Sequence, residues 1–276
     1  MSTLPNTLPS TPVTANVQSV SIDPAQSHEE LHEAAAASDP IGYETLRRMA
    51  TVERYNDWIY QEIAPHAGRR LLEVGCGIGN MTDYFVRSDL LVGLDLLPAS
   101  VELTRRRHLS YDHVEAVLGD ITDPALASRL QAYAFDTVIC LNVLEHIPDD
   151  RTALRHMHNV LTPEGRLLLF VPAGSYMYGT LDAALGHHRR YDQIALGERV
   201  TAAGFSIDRL SYLNLAGIPG WWLNSRVLKR NLLPQTQLTL FNRLAPAFIA
   251  GERLLRRVWD VPLGQSLLCI AHRHPN

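Results

Sequence analysis

Apolar positions follow two rhythms along this chain. Residues 70–74, 90–94, 114–118, 135–141 and 166–171 are near-continuous apolar runs, too short for ordinary helices and bounded by polar or turn-forming residues. They read as five buried strands. Between them, apolar positions recur every three or four residues, which predicts helices over 98–108 and 150–161, the latter with His156, Val160 and Leu161 in its last turns. A further helix is predicted to begin near Met81 and to carry Tyr84, Phe85 and Val86. Pro163-Glu164-Gly165 predicts a turn before the fifth strand, and Pro172 its end. Continuous apolar strands alternating with amphipathic helices imply a parallel sheet covered on both faces, whose ligands bind at the carboxyl ends of the strands.

The flanks read differently. Residues 1–27 are rich in Ser, Thr, Pro and Asn without an apolar period, and predict a disordered tail. Helical spacing of Met49, Val52, Tyr55 and Ile59 over 38–63, with Asp39-Pro40 as a start signal, predicts a helical cap over 28–64. The core then runs from 65 to 215. Residues 205–215 and 266–272 predict a sixth and a seventh strand, the last within 266–276. Roughly fifty residues separate them and include Trp221, Trp222, Phe241, Phe248 and Trp259. A structureless loop of that length is improbable in a compact domain, so 216–265 is expected to be a helical insertion. The sixth strand should end on the ligand face, which would put the insertion over the substrate site.

Composition narrows the class. A chain of 276 residues with 46% hydrophobic and 20% charged residues can bury one large core. A net charge of −4 argues against nonspecific nucleic-acid binding. Cys76, Cys140 and Cys269 lie far apart in apolar runs and read as reduced core thiols. The start lacks the basic segment and apolar core of a signal peptide, and the apolar stretch 213–223 is interrupted by Pro219 and Gly220. A soluble, cytoplasmic protein is the expectation. Residues 221–276 nevertheless hold eight Lys/Arg against two acids, Glu252 and Asp260, interleaved with Leu, Trp and Phe. This pattern suits either an amphipathic cap with its arginines in water or peripheral membrane contact through 221–260.

The chemistry concentrates at strand ends. In Leu71-Leu72-Glu73-Val74-Gly75-Cys76-Gly77-Ile78-Gly79-Asn80 a strand turns on three glycines, which lets a ligand approach the backbone closely. Asp95 follows the second strand, twenty residues after Gly75, where a carboxylate can accept both ribose hydroxyls. Nicotinamide dinucleotide folds place an acid at the same distance, so these two features leave the cofactor open. Two segments further on discriminate: Leu118-Gly119-Asp120-Ile121, and Phe135 through Asn142-Val143-Leu144-Glu145-His146-Ile147.

Together these motifs resemble those of class I S-adenosylmethionine-dependent methyltransferases, most closely the bacterial type 11/12 group that includes ubiquinone-type O-methyltransferases. The resemblance implies a Rossmann-like, seven-stranded, mostly parallel α/β sheet whose last two strands are antiparallel, and S-adenosyl-L-methionine as cofactor. Gly75, Cys76, Gly77 and Gly79 would then line its methionine part, with Glu73 orienting the loop. Asp95 and Leu96 would serve the ribose, Asp120 and Ile121 the adenine, and Asn142 and Val143 the methyl-transfer point. Glu145-His146 binds a divalent cation in some ubiquinone-type enzymes. Bracing of the loop is the simpler reading here, and no metal site is expected.

Gly186-His187-His188-Arg189-Arg190-Tyr191-Asp192 is the most polar cluster and directly follows the fifth strand. A histidine titrating near neutrality suits removal of a hydroxyl proton, which makes His187 or His188 the candidate base. Arg189, Arg190, Tyr191 and His146 are candidates for binding the acceptor, the arginines through a carboxylate or phosphate. The expected activity is methyl transfer to a small-molecule oxygen, and a hydrophobic or lipid-linked acceptor would fit the apolar insertion. A noncatalytic cofactor-binding scaffold would need the glycine turn but not this cluster. A nicotinamide-dependent oxidoreductase leaves Asp120 and 142–146 unexplained.

Overall fold

The computed structural model describes residues 26–259 and 261–274, so the predicted tail lies outside it except for its last two residues. Seven strands form one sheet: β1 (Arg70–Val74), β2 (Leu90–Asp95), β3 (Val114–Leu118), β4 (Phe135–Leu141), β5 (Leu161–Pro172), β6 (Phe205–Leu213) and β7 (Ser266–Arg273). Their order is β3-β2-β1-β4-β5-β7-β6. The first five pair in parallel, and β7 runs antiparallel to both neighbours. This is the Rossmann-like, mostly parallel sheet expected.

Alternation along each strand feeds two cores, as the two-residue period of a strand requires. Leu72, Val138, Leu167 and Leu169 enter one cluster with Leu154 and Met157 of α6 (Asp150–Val160) and Leu196 and Val200 of α8 (Gln193–Ala202). Leu71, Leu91, Ile139, Leu168 and Ile270 enter the other with Trp58, Ile59 and Ile63 of α3 (Glu53–Ile63). Both faces are thus covered, which is why these strands are apolar throughout rather than alternating.

The predicted cap is three helices, with α1 (His28–Ser38) and α2 (Pro40–Met49) preceding α3. Ser27 and Glu30 form a reciprocal capping box at α1, and Asp39 accepts from Gly42 N–H at the start of α2. α1 packs on α4 (Pro98–Arg107), where Leu31 and Ala35 meet Ala99, Leu103 and Ile78 of the glycine loop.

Two expectations are corrected, and two helices are added. No α-helix follows the glycine turn; Thr82–Phe85 is a single 3-10 turn, and its buried residues Thr82 and Phe85 show that turn's three-residue spacing. The predicted turn at 163–165 is an irregularity inside β5, with Glu164 at φ +65°. Two short helices went unpredicted, α5 (Pro124–Leu130) and α7 (Thr180–Ala184). Between β6 and β7 the chain forms α9 (Gly217–Trp222), a π-helical turn (Leu223–Val227) and α10 (Gln235–Val258), which packs along α3.

Candidate active site

Strand order and register assemble the site. Val74 pairs with Leu94 and with Cys140, and Leu94 with Val117, so β1 to β4 end level. Neighbouring strands lie about 4.8 Å apart. Asp120 after β3, Asp95 at the end of β2, the glycine loop after β1 and Asn142 after β4 therefore stand in one row along the carboxyl edge.

The loop is built to stay close to its ligand. Gly75, Gly77 and Gly79 have φ of +78°, +54° and +85°, and a Cβ at Gly75 would overlap the side chain of Val143. Gly75 and Cys76 N–H both donate to Leu94 O, at 2.7 and 3.1 Å. Asp95 stitches loop to strand by accepting from Gly77 N–H at 2.8 Å and Leu97 N–H at 3.0 Å. Burial raises its pKa, against those backbone donors. Beneath the loop Glu73 accepts from the Thr82 hydroxyl at 2.6 Å, and burial pushes its pKa up to about 8. This bond ties β1 to the turn that follows the loop. Leu46 of α2 covers Gly77.

Two residues of the cofactor edge have buried side chains. The Cys76 side chain packs against Gly93, where a Cβ would crowd it, so only its backbone faces the ligand edge. Ile121 is buried in the main core, whereas Leu96 is 60% exposed and offers an apolar surface at the end of β2. Asp120 accepts from Thr122 N–H, which shapes the β3 loop. Asn142 is exposed at φ +53°, its N–H held by Phe170 O at 2.7 Å.

Beyond Asn142 the wall is made of histidines and carboxylates. Glu145 is wholly buried, neither of its carboxylate oxygens has a hydrogen-bond partner, and burial pushes its pKa up to about 8. Its Oε1 lies 4.0 Å from His187 Nε2. His187 is buried too, with Nδ1 held by Asp182 at 2.9 Å. His146 is exposed, its ring 4.7 Å from that of His187 and perpendicular to it. Desolvation on that side and the flanking His187 and His188 lower its pKa. His188 is exposed, and its N–H donates to Glu145 O.

The arginines expected to bind an acceptor make bracing contacts within the protein. Arg190 is buried, bonds Asp182 at 2.7 Å and Ala173 O at 2.8 Å, and lies under the Trp221 ring at 4.6 Å. Tyr191 is buried and donates to Asp150 at 2.8 Å. Arg189 pairs with Asp150 and donates to Ile147 O and Pro148 O. Each of these side chains has partners within the protein, although Nη2 of the buried Arg190 has none. His187, expected as a base, likewise has one nitrogen committed to Asp182 and the other turned toward Glu145. The residue overlooked in the sequence is Asp182, which also accepts from Trp221 Nε1–H. It is the lone charged residue in 173–186, directly before the His-His-Arg-Arg run, and that isolation was the available signal.

A methyltransferase-domain family model matches residues 72–167. The ubiquinone biosynthesis O-methyltransferase of Paracidovorax citrulli is 30% identical over 174 residues, covering 58% of this chain and 71% of that protein. The protein of the same description from Ralstonia nicotianae is 34% identical over 112 residues, and the chain spans about half of its length (46%). The solved S-adenosylmethionine-dependent methyltransferase of Mesorhizobium loti shares the fold, with a TM-score of 0.53 at 16% identity over 79% of this chain and 96% of that one. The chain belongs to the class I S-adenosylmethionine-dependent methyltransferases. Its row of Gly75, Gly77, Gly79, Asp95, Leu96, Asp120 and Asn142 suits that cofactor: three glycines without Cβ atoms leave room for close approach, and two carboxylates could accept from hydroxyl and amino groups.

Proposed function

We propose that the enzyme methylates an oxygen of a small-molecule acceptor, with His146 taking the proton. S-adenosylmethionine, when bound, supplies an electrophilic sulfonium methyl. The chain supplies position and a base. The observation that carries the reading is the exposed His146 imidazole, one turn beyond Asn142 and held edge-on by His187, which Asp182 fixes in turn. With its pKa lowered to about 4, His146 is uncharged at neutral pH and keeps a ring lone pair, and is a weak base. His187 and Asp182 act as positioning residues. The names of the relatives support an oxygen acceptor.

A single-turnover assay with labelled S-adenosylmethionine, screened over phenolic and lipid-linked hydroxyls, tests this. His146→Gln should lower the rate about 10²- to 10⁴-fold with S-adenosylhomocysteine binding unchanged. An unaltered rate in that variant overturns the assignment.

A second reading rests on one observation. Glu145, His146 and His187 bring ligand atoms within 4.8 Å of one another, and both Glu145 oxygens lack partners. These three residues could hold a divalent cation, which would lower the pKa of an acceptor hydroxyl. Loss of activity on chelation, restored by Mg²⁺ or Zn²⁺, favours that reading over a free base.

A further inference from the structure

We propose that the outer face of α10 docks on an anionic phospholipid surface. α10 carries two apolar stripes on opposite sides. Leu238, Phe241, Ala245 and Ile249 pack inward against α3 and the sheet. Leu240, Leu244, Leu254 and Val258 recur at helical spacing on the outer side, with Ala247 and Gly251 in the same stripe, and Leu254 also borders the cavity between α10 and α3. Leu240, Leu254 and Val258 are 57%, 64% and 81% exposed, and Trp259 just beyond the helix is 59% exposed. A two-turn apolar stripe is ordinary when buried. One running the length of a 24-residue helix in water requires a partner.

The charges select that partner. The helix has one acid, Glu252, and it is buried on the inner side, accepting from Asn214 and Leu215 N–H and pairing with Arg256. No carboxylate of α10 therefore faces outward. Arg243 and Arg257 flank the stripe and have no ion pair among the described residues. Beside them a cavity of about 510 Å³ opens between α3 and α10, lined by Arg54, Arg253 and Arg257 with Asp57, Trp58 and Ile249. Cations at the flank, acyl-compatible side chains on the crest and an aromatic at the end are what a helix lying in a lipid interface presents. No helix among the described residues is long and apolar enough to cross a membrane, so the contact is peripheral. A second copy of the chain fits worse, because two-fold packing along the stripe would gather the arginines of both α10 helices, and neither helix has an outward carboxylate to set between them.

Docking there would act on the site through the chain that leads to α10. Trp221 of α9 contacts Asp182 and Arg190, and Glu252 holds the end of β6. The proposal holds whatever atom is methylated.

Co-flotation of the full chain with phosphatidylcholine vesicles, with and without phosphatidylglycerol, tests it. Binding should require phosphatidylglycerol, weaken with salt, fall roughly tenfold or more in Arg243→Glu/Arg257→Glu and vanish in Leu254→Glu/Val258→Glu. Both variants should keep the melting temperature and S-adenosylhomocysteine affinity of the parent, so that lost flotation is not misfolding. No flotation of the parent chain, equal flotation of the variants, or equal binding to neutral vesicles overturns the proposal. So does a parent dimer, seen by ultracentrifugation, that Leu254→Glu converts to monomer, since the stripe would then belong to a second copy.

Discussion

Glu73 is buried beneath the glycine loop with one hydroxyl as partner, whereas Asp182 is buried among His187, Arg190 and Trp221. Burial pushes the Glu73 pKa up to about 8. Burial opposes the charge on Asp182 as well, but the His187 hydrogen bond and the Arg190 charge outweigh it and lower the pKa. The two carboxyls therefore pull stability in opposite directions with pH. Between the ordinary glutamate range and about pH 8, the folded chain keeps a proton on Glu73 that the unfolded chain has released, so stability falls as pH rises through that window. Glu73→Gln preserves an acceptor for Thr82 and removes the titration. Its melting temperature should match the parent near pH 5 and exceed it increasingly toward pH 8, each unit of offset being worth about 1.4 kcal/mol. A difference constant across pH would sink this account. Asp182 contributes stability above its lowered pKa and loses it as pH falls through that value. Asp182→Asn leaves the Arg190 guanidinium buried without its counter-charge and should cost about 3–5 kcal/mol, read as a lower urea midpoint at unchanged slope.

At the level of elements, the glycine turn shows why some structure was legible. Gly75 to Gly79 sit next to one another in the chain, and their positive φ values are a local demand that the residue type answers directly. Gly75→Ala would combine left-handed strain of about 1–2 kcal/mol with a clash against Val143, and should weaken S-adenosylhomocysteine binding at least tenfold by calorimetry. Unchanged affinity would mean that the loop does not carry the cofactor. The strands were legible for a similar reason: burial on both faces turns 90–94 and 135–141 into unbroken apolar runs. The 81–86 segment misled because Met81, Tyr84 and Phe85 stand at three- and four-residue spacing, which suits an α-helical face, and a single turn is too short to separate that period from a 3-10 one. The burial of Cys76 against Gly93 and of Ile121 in the main core depends on neighbours distant in sequence. So does the site's second half. Asp182 acquires its role only where α7 meets the His187–Tyr191 segment, and nothing within three or four residues of it announces that meeting.

Over the whole molecule the order of strands in the sheet is not their order in the chain, and the consequence falls on β7. It is the last strand described, yet it lies between β5 and β6 and bonds to both. Leu267, Leu268, Cys269, Ile270 and Ala271 are all fully buried, shared between the two cores. Fully burying each Leu or Ile is worth about 1.5–3 kcal/mol, so those three alone supply on the order of 5–9 kcal/mol. That is comparable with the whole net stability of a typical domain, about 5–15 kcal/mol. Without β7, β6 loses its only sheet neighbour among the described residues, and β5 becomes an exposed apolar edge. A chain ending at residue 265 should therefore fail to fold cooperatively, although every motif of the cofactor row lies before it. Loss of a sigmoidal thermal transition, with aggregation on expression, is the expected result. A truncated chain that melts cooperatively and still binds S-adenosylhomocysteine would show that β1 to β5 with their helices form a self-sufficient unit, and that β7 serves the insertion rather than the core.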